Sequence, residues 1–238
     1  MPKLSKRTAA VREKVDPDRI YDVDSAIAVV KDTATAKFDE TVELHLKMGL
    51  DGRHADQQIR GSVVMPNGLG RTMRVAVFAE GEAASMANAA GADVVGSDDL
   101  MARMEGGELD FDIVLAQREL MGKVGRLGRV LGPRGLMPNP RSGTVVDANQ
   151  VERAVREAKS GRVEFRLDRT NLVHCAIGKV SFDEKQLSEN LAALIGEIVK
   201  AKPSGSKGQY VRSASLASTM GPGVAIDVST LVALASEA

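Results

Sequence analysis

Residues 41–50 read Thr-Val-Glu-Leu-His-Leu-Lys-Met-Gly-Leu, and this stretch decides the fold of the first part of the chain. Valine, leucine and methionine alternate in it with polar residues and glycine. Because successive side chains of a β-strand point to opposite faces, this period of two predicts a half-buried strand of an antiparallel sheet. We expect residues 60–64, Arg-Gly-Ser-Val-Val, to add another strand to the same sheet.

A different pattern follows in the middle of the chain. Residues 75–79, Val-Ala-Val-Phe-Ala, form a continuous apolar run, which is typical of a strand covered on both faces. The neighbouring segments predict helices at residues 82–90 and 97–104 and strands at residues 93–95 and 111–116. Strands that alternate with helices in this way predict a parallel, Rossmann-like sheet.

Antiparallel signals return near residue 162. Residues 163–167 alternate again, and residues 168–171, Asp-Arg-Thr-Asn, predict a turn into a strand at residues 172–180. A helix is predicted next, because one helical face collects the apolar residues Leu187, Leu191, Leu194, Ile195 and Ile198.

These patterns predict an α/β protein of two domains. A split α+β domain with an antiparallel sheet takes residues 1–66 and 161–238, and an inserted Rossmann-like parallel α/β domain takes residues 67–160. A domain joined by two linkers can hinge about them. The predicted hinge positions are Gly68, Gly70, Ser160 and Gly161.

The composition is that of a globular protein in a reducing compartment. The 238 residues are 43% apolar and 27% charged, and Cys175 is the single cysteine, so neither an internal disulfide nor a multi-cysteine metal site is expected. Aromatic residues make up 3%, with no tryptophan, which argues against a broad platform for base stacking. Neither a signal peptide nor a run of transmembrane length is seen, so we expect a cytoplasmic protein without a membrane partner.

Charge is unevenly distributed although the formal net charge is zero. Residues 121–143 contain five bases and no acid, whereas Arg103 is the only base among nine acids of residues 80–112. These acids are Glu80, Glu82, Asp93, Asp98, Asp99, Glu105, Glu108, Asp110 and Asp112. Segregated charge can orient a protein on a polyanion, so we expect the acidic block to face solvent.

Residues 199–223 form a second basic stretch without any acid. It contains Lys200, Lys202, Lys207 and Arg212 and is rich in glycine, alanine, serine and threonine. With few large apolar side chains it is not expected to fill a core, while its small residues allow a partner to approach the backbone. Its charge predicts an anionic partner, and a flexible solvated loop is the alternative.

The sequence offers little for catalysis. His174 and Cys175 are neighbours on a predicted strand, so they point to opposite faces and cannot form a dyad. Neither a Walker A loop nor a dinucleotide fingerprint in the required context is present. We therefore expect no enzyme activity, cofactor, metal or small-molecule substrate. A nucleotide-dependent enzyme built on the inserted domain and an RNA-independent scaffold are the alternatives.

Four motifs resemble the bacterial large-subunit ribosomal protein L-one family. They are residues 37–44 (Lys-Phe-Asp-Glu-Thr-Val-Glu-Leu), 132–140 (Gly-Pro-Arg-Gly-Leu-Met-Pro-Asn-Pro), 202–205 (Lys-Pro-Ser-Gly) and 218–223 (Ser-Thr-Met-Gly-Pro-Gly). The resemblance implies the same two-domain architecture and a cytoplasmic, ribosome-bound protein. It also implies three RNA partners: large-subunit rRNA at the mobile lateral stalk, exit-site tRNA whose release the protein assists, and its own operon mRNA, whose translation it represses.

The resemblance also implies which residues contact RNA. Those of the split domain are Lys37, Phe38, Thr41, Asp168, Arg169, Thr170, His174, Ser218, Thr219, Met220, Gly221, Pro222 and Gly223. A second surface is predicted on the glycine- and arginine-rich loop of the inserted domain, where prolines stiffen the chain and arginines can fork onto phosphates. Its residues are Arg126, Arg129, Arg134, Gly135, Met137 and Arg141.

Overall fold

The computed structural model describes residues 5–206 and 208–237. Lys207 of the second basic stretch lies outside the described residues. The helices are α1 Lys6–Arg12, α2 Val23–Thr33, α3 Glu82–Ala89, α4 Asp98–Glu105, α5 Met121–Val124, α6 Gly128–Leu131, α7 Val151–Lys159, α8 Glu184–Lys200 and α9 Val228–Glu237. The strands are β1 Thr41–Met48, β2 Arg60–Val64, β3 Val75–Phe78, β4 Val94–Gly96, β5 Ile113–Gln117, β6 Val145–Val146, β7 Arg162–Arg166, β8 Leu172–Lys179, β9 Val211–Ser218 and β10 Val224–Ile226. Within the described ranges, no helix is both long and apolar enough to cross a membrane.

The chain divides into two compact units. One contains Met1–Gly70 and Val163–Ala238, and the other contains Arg71–Arg162. The boundaries expected after residues 66 and 160 thus lie four and two residues before those of the units.

The first unit is built on an antiparallel sheet with the strand order β10-β9-β1-β8. The strand predicted from residues 41–50 is β1, with Val42, Leu44, Leu46 and Met48 buried. These residues share one hydrophobic core with the apolar face of α8 and with buried residues of α2. The antiparallel sheet is confirmed. This core packs on one of its two faces, and the other face is open.

The second unit is built on a parallel sheet with the order β4-β3-β5-β6. Every residue of β3 is buried, because apolar clusters lie on both faces of the sheet. One cluster packs Val75 and Val77 with α3 and α7, and the other packs Ala76 and Phe78 with α4 and residues of the 120–131 segment. The parallel α/β sheet predicted from the continuous apolar run is confirmed.

Strand β2 does not join the main sheet, so that prediction was wrong. It forms a separate two-stranded sheet with β7. The turn at residues 168–171 consequently connects β7 to β8, which belong to different sheets, and does not close a β-hairpin. Alternation identifies a strand but not its partner, and both edges of β1 are already occupied by β8 and β9.

The segment expected to be a glycine- and arginine-rich loop is partly helical. Helices α5 and α6 and two short 3-10 turns cover residues 118–131, and a loop follows. Val124, Leu127 and Leu131 are buried in the core of the second unit. Their spacing of three and four residues is helical, and the glycines between them conceal it.

The stretch of residues 199–223 contributes more to the core than its composition indicates. Residues 211–218 form β9, which buries Val211, Ala214 and Leu216. The expectation that this stretch does not fill a core was therefore wrong for its central part. Strand β10 and helix α9 follow it and were not predicted. Because small residues fit a strand that lies beside large ones, a low count of large side chains does not exclude a core strand.

Candidate nucleic-acid interface

Two segments that lie far apart in the sequence meet at one end of the main sheet. Val42 pairs with Ser218 across β1 and β9. Next to this pair, the Thr219 amide donates to the Thr41 carbonyl at 3.0 Å, and the Thr41 amide donates to the Thr219 hydroxyl at 2.9 Å. The structure thus brings the predicted residues Lys37, Phe38 and Thr41 together with the predicted residues 218–223.

A buried carboxylate joins these two segments. Glu40 is 1% exposed, and it accepts hydrogen bonds from the Ser218 hydroxyl at 2.8 Å and from the amides of Met220 and Ala36, each at 2.9 Å. Burial alone would raise the pKa of this carboxyl, but the three hydrogen bonds hold the pKa below its ordinary value. Glu40 is therefore an ionised bridge that shapes the surface around it.

Sequence reasoning missed Glu40, although a signal for it exists. Residues 42, 44, 46 and 48 of β1 point inward, and residue 40 continues the same parity. An acid at an inward-facing position needs hydrogen-bond donors, because a buried unpaired charge is very costly. The alternation could therefore have identified Glu40 as a buried acid that needs hydrogen-bond donors from another segment.

The bridge leaves two large apolar side chains in solvent. Phe38 is 56% exposed and Met220 is 49% exposed. Lys37 is also exposed, and the Arg7 guanidinium donates to the Met220 carbonyl at 3.4 Å. Exposed apolar side chains beside positive charge suit a ligand that offers both flat faces and phosphates.

Small residues bound this surface. A Cβ atom on Gly221 would lie 2.5 Å from the Ser218 hydroxyl oxygen, whereas a Cβ atom on Gly223 would meet no atom within 4 Å. Pro222 between them is partly exposed. A larger residue at position 221 would therefore press on the Ser218 hydroxyl, whereas position 223 has room for one.

The open face of the main sheet connects this end to the other. Three rows of paired residues cross β8, β1 and β9: Ala176–Glu43–Ala217, His174–His45–Ser215 and Leu172–Lys47–Ser213. In the middle row the Nδ1 atoms of His45 and His174 lie 2.8 Å apart. Burial and the neighbouring His174 lower the pKa of His45, while Glu43 opposes that shift. His174 and Cys175 therefore lie on opposite faces as predicted, with His174 on the open face beside His45 and Cys175 buried on the other.

The turn at residues 168–170 lies at the far end of the sheet, beside the start of β8. The Asp168 carboxylate accepts hydrogen bonds from the amides of Thr170 at 2.8 Å and Leu172 at 2.7 Å, and from the Thr170 hydroxyl. These bonds, that from the Thr170 side chain foremost, hold the pKa of Asp168 below its ordinary value. Asp168 and Thr170 thus shape the turn, while the Arg169 side chain is exposed.

The arginines of the second predicted surface lie in the second unit. Arg126, Arg129, Arg134 and Arg141 are exposed, and none of them forms an ion pair with any described residue. Gly135 has a positive φ of 72°. The partly exposed Met137 packs against the core.

The acidic block is less segregated in space than in sequence. Lysine or arginine side chains lie within 4.0 Å of six of its nine acids. Those six are Glu80, Asp93, Asp98, Glu108, Asp110 and Asp112. Lys123, one of the five bases of residues 121–143, holds both Glu80 and Asp98. Most of the block's charge is therefore matched locally.

The glycines of the predicted hinge have left-handed backbone conformations. The φ angles are 67° at Gly68, 71° at Gly70 and 105° at Gly161, whereas that of Ser160 is −74°. Asn190 of α8 also accepts from the Asn67 amide and donates to the Gly68 carbonyl, both at 3.0 Å. The hinge stays a prediction, and Gly68 is held by these contacts within the first unit.

The fold and this surface together define a class of protein. It is a two-domain α/β protein in which a parallel domain interrupts an antiparallel α+β domain, and its exposed residues favour binding over catalysis. The sequence pattern of the Ribosomal protein L1p/L10e family matches residues 30–222, and the chain belongs to this family. The resemblance found in the four motifs is thereby confirmed.

Three relatives cover nearly the whole chain. The chain is 58% identical to the large ribosomal subunit protein uL1 of Chloroflexus aggregans, over 96% of this chain and 97% of that protein. It is 57% identical to the protein of that name from Chloroflexus aurantiacus, over 95% and 96%. It is 54% identical to that of Halorhodospira halophila, over 97% and 99%. Because the family and these relatives are ribosomal proteins, the prediction that the chain is not an enzyme is confirmed.

Proposed function

We propose that the chain is a structural protein of the large ribosomal subunit that binds rRNA at the mobile lateral stalk. The observation that carries this proposal is the Glu40 bridge, because it unites two motif segments and leaves Phe38 and Met220 exposed on the joined surface. Membership of the ribosomal family supports it. The protein would then be cytoplasmic and ribosome-bound.

The chemistry of the surface suits RNA. An RNA helix presents a wide, shallow minor groove with 2′-hydroxyl groups, and proteins recognise it largely by shape and backbone contacts. The small residues Thr219, Gly221 and Gly223 allow that groove to approach the protein backbone. Phe38 and Met220 can pack on a ribose or base face. Lys37 and Arg7 add the salt-dependent part of the affinity.

The second unit supplies a separate basic surface for exit-site tRNA. Arg126, Arg129, Arg134 and Arg141 are exposed and carry charge that no described ion pair neutralises. A guanidinium can donate two parallel hydrogen bonds to one phosphate, so these arginines are suited to hold the backbone of a tRNA. We assign the assistance of tRNA release to this surface.

Repression of the protein's own operon mRNA would use the same rRNA-binding surface. An mRNA element that presents the same groove shape would occupy residues 37–41 and 218–223 in place of rRNA. The two RNAs would therefore compete, and translation would fall when free protein exceeds the available rRNA. Competition between the two fragments for one site is the expected observation.

The charge-bearing variant Met220→Asp tests the main site. A carboxylate placed against RNA phosphates costs several kcal/mol, so the Kd for an rRNA stalk fragment should rise roughly a hundredfold or more. The melting temperature should hardly change, because the Met220 side chain is already half in solvent. Ile20→Asp is the matched control, since Ile20 is another exposed apolar residue of the first unit, at 67% exposure. Unaltered binding by Met220→Asp contradicts the proposed site. A separate measurement tests the RNA-independent scaffold, which predicts that the protein leaves ribosomes at low salt.

A further inference from the structure

Three arginines that lie far apart in the sequence line one polar pocket of the first unit. They are Arg53, Arg169 and Arg212, and the pocket has a volume of about 430 Å³. Gly49, Asp51 and Asn171 contribute to the same lining. The convergence follows from the topology, because the end of β1 lies beside the starts of β8 and β9, with Lys47 opposite Leu172 and Met48 opposite Val211.

The positive charge of this pocket is not balanced by the protein itself. The guanidinium groups of Arg53, Arg169 and Arg212 form no ion pair with any side chain in the part of the chain that the structure describes. Asp51 is the one acid among the described lining residues. Its Oδ1 accepts from the Arg53 amide at 3.0 Å and its Oδ2 lies 3.8 Å from His54 Nε2. The single negative charge of Asp51 offsets only part of the positive charge of the three arginines. Three like charges in one pocket repel one another, so an anion bound among them lowers the energy.

The backbone of the pocket is held in place. The Asp51 amide donates to the Gln57 side chain and the Gly52 amide donates to the Asn171 side chain, each at 2.7 Å. A Cβ atom on Gly49 would lie 1.9 Å from the Gln209 carbonyl oxygen, so the neighbouring chain packs directly on the Gly49 backbone. The backbone around the pocket is thus fixed, so the entropy lost on binding an anion comes mainly from the arginine side chains.

We propose that Arg53, Arg169 and Arg212 form a phosphate-binding pocket that takes a backbone phosphate of the bound RNA. The proposal rests on the proposed rRNA-binding function and extends it to residues 53 and 212. Seven residue steps of β1 separate Thr41 from Met48, which is about 23 Å of extended chain. The RNA is therefore held at both ends of the open sheet face, by the surface around Glu40 at one end and by the arginine pocket at the other.

Salt-dependent binding of an rRNA stalk fragment by the full-length chain tests this pocket. Arg53→Gln and Arg212→Gln should each weaken binding by roughly tenfold, the usual effect of losing a hydrogen bond to a charged group. If one phosphate contact is lost, the slope of log K against log salt concentration should become shallower by about 0.7 to 0.9. Arg212→Lys should keep most of the slope and lose part of the affinity, because lysine retains the charge but not the planar fork.

Lys185→Gln is the charge-matched control. Lys185 is an exposed residue of α8, and α8 packs on the buried face of the sheet, so its loss should change neither Kd nor slope. Melting curves check that each variant is folded. If one arginine variant does not fold, the other still tests the pocket. Wild-type affinity and slope in both Gln variants would overturn the proposal.

Inorganic phosphate distinguishes the source of the anion. If phosphate alone stabilises the wild type against heat but both Gln variants bind the RNA normally, the pocket serves a free anion and the RNA assignment is wrong. If the wild type itself fails to bind the stalk fragment, the rRNA-binding function fails and this pocket's role in it fails with it. Weaker binding in the arginine variants alone, with Lys185→Gln unaffected, supports the proposal.

Discussion

At the scale of single residues, the site depends on one ionised side chain that never reaches the surface. The Glu40 carboxylate is buried, and three hydrogen-bond donors offset the cost of removing it from water. Two of those donors belong to Ser218 and Met220, so the shape of the exposed turn depends on the bridge. The geometry of the exposed turn therefore depends on the buried Glu40 side chain.

The turn at Gly221 gives a prediction at this scale. Gly221→Ala should lower the free energy of unfolding by about 1 kcal/mol, because the new Cβ would displace the Ser218 hydroxyl from Glu40. Gly223→Ala is the matched control and should change it by less than about 0.5 kcal/mol, since its Cβ would enter open space. Thermal or urea unfolding measures both effects.

A double variant separates this mechanism from a general loss of chain flexibility. Ser218→Ala removes the atom that Ala at position 221 would strike, so adding it to Gly221→Ala should cost less than the sum of the two single effects. Strict additivity would argue against the contact as the cause. Equal destabilisation by Gly221→Ala and Gly223→Ala would do the same.

At the scale of secondary structure, β1 assembles the candidate surface. It pairs with β8 on one side and with β9 on the other. Residues near 41, 174 and 218 therefore reach one surface although long stretches of sequence separate them. The burial pattern of β1 could be predicted from its alternation, but its two neighbours could not.

Asn190 gives a prediction at the scale of helix packing. It is 0% exposed, and its side chain donates to the carbonyls of Ile177 at 2.7 Å and Gly68 at 3.0 Å. Asn190→Ala leaves these buried groups without a partner, which should cost about 2 kcal/mol. The melting temperature should fall by about 4 to 8 °C.

An exposed asparagine supplies the control for that measurement. Asn88 lies in α3 and is solvent-exposed, so Asn88→Ala should leave the melting temperature unchanged or slightly raised, as alanine favours helix. A melting temperature of Asn190→Ala equal to that of the wild type would show that water replaces the lost hydrogen bonds.

At the scale of the whole molecule, each unit has its own core. The large cluster that contains β1 and α8 draws its described residues from the first unit, whereas the two clusters around β3 draw theirs from residues 75–158. A unit with a complete core can fold alone. The proposed rRNA-binding residues also lie in the first unit.

Deletion of the second unit therefore gives a prediction at this scale. A chain in which a short glycine-serine linker replaces residues 71–162 should unfold cooperatively and bind the rRNA stalk fragment within about tenfold of the full chain, because all its proposed contacts remain. Circular dichroism and binding assays measure the two properties. Loss of cooperative unfolding would show that the first unit needs the second, and folded protein without affinity would place the main contacts elsewhere.

The sequence by itself determined the two kinds of sheet and the family, because side-chain periodicity and local motifs are properties of neighbouring residues. The tertiary structure alone decided which strands pair, since pairing depends on partners distant in the chain. It placed β2 with β7, made residues 211–218 a core strand, and neutralised most of the acidic block by ion pairs. It also gathered Glu40 with Ser218 and Arg53 with Arg212, because the antiparallel order of the sheet brings opposite strand ends together.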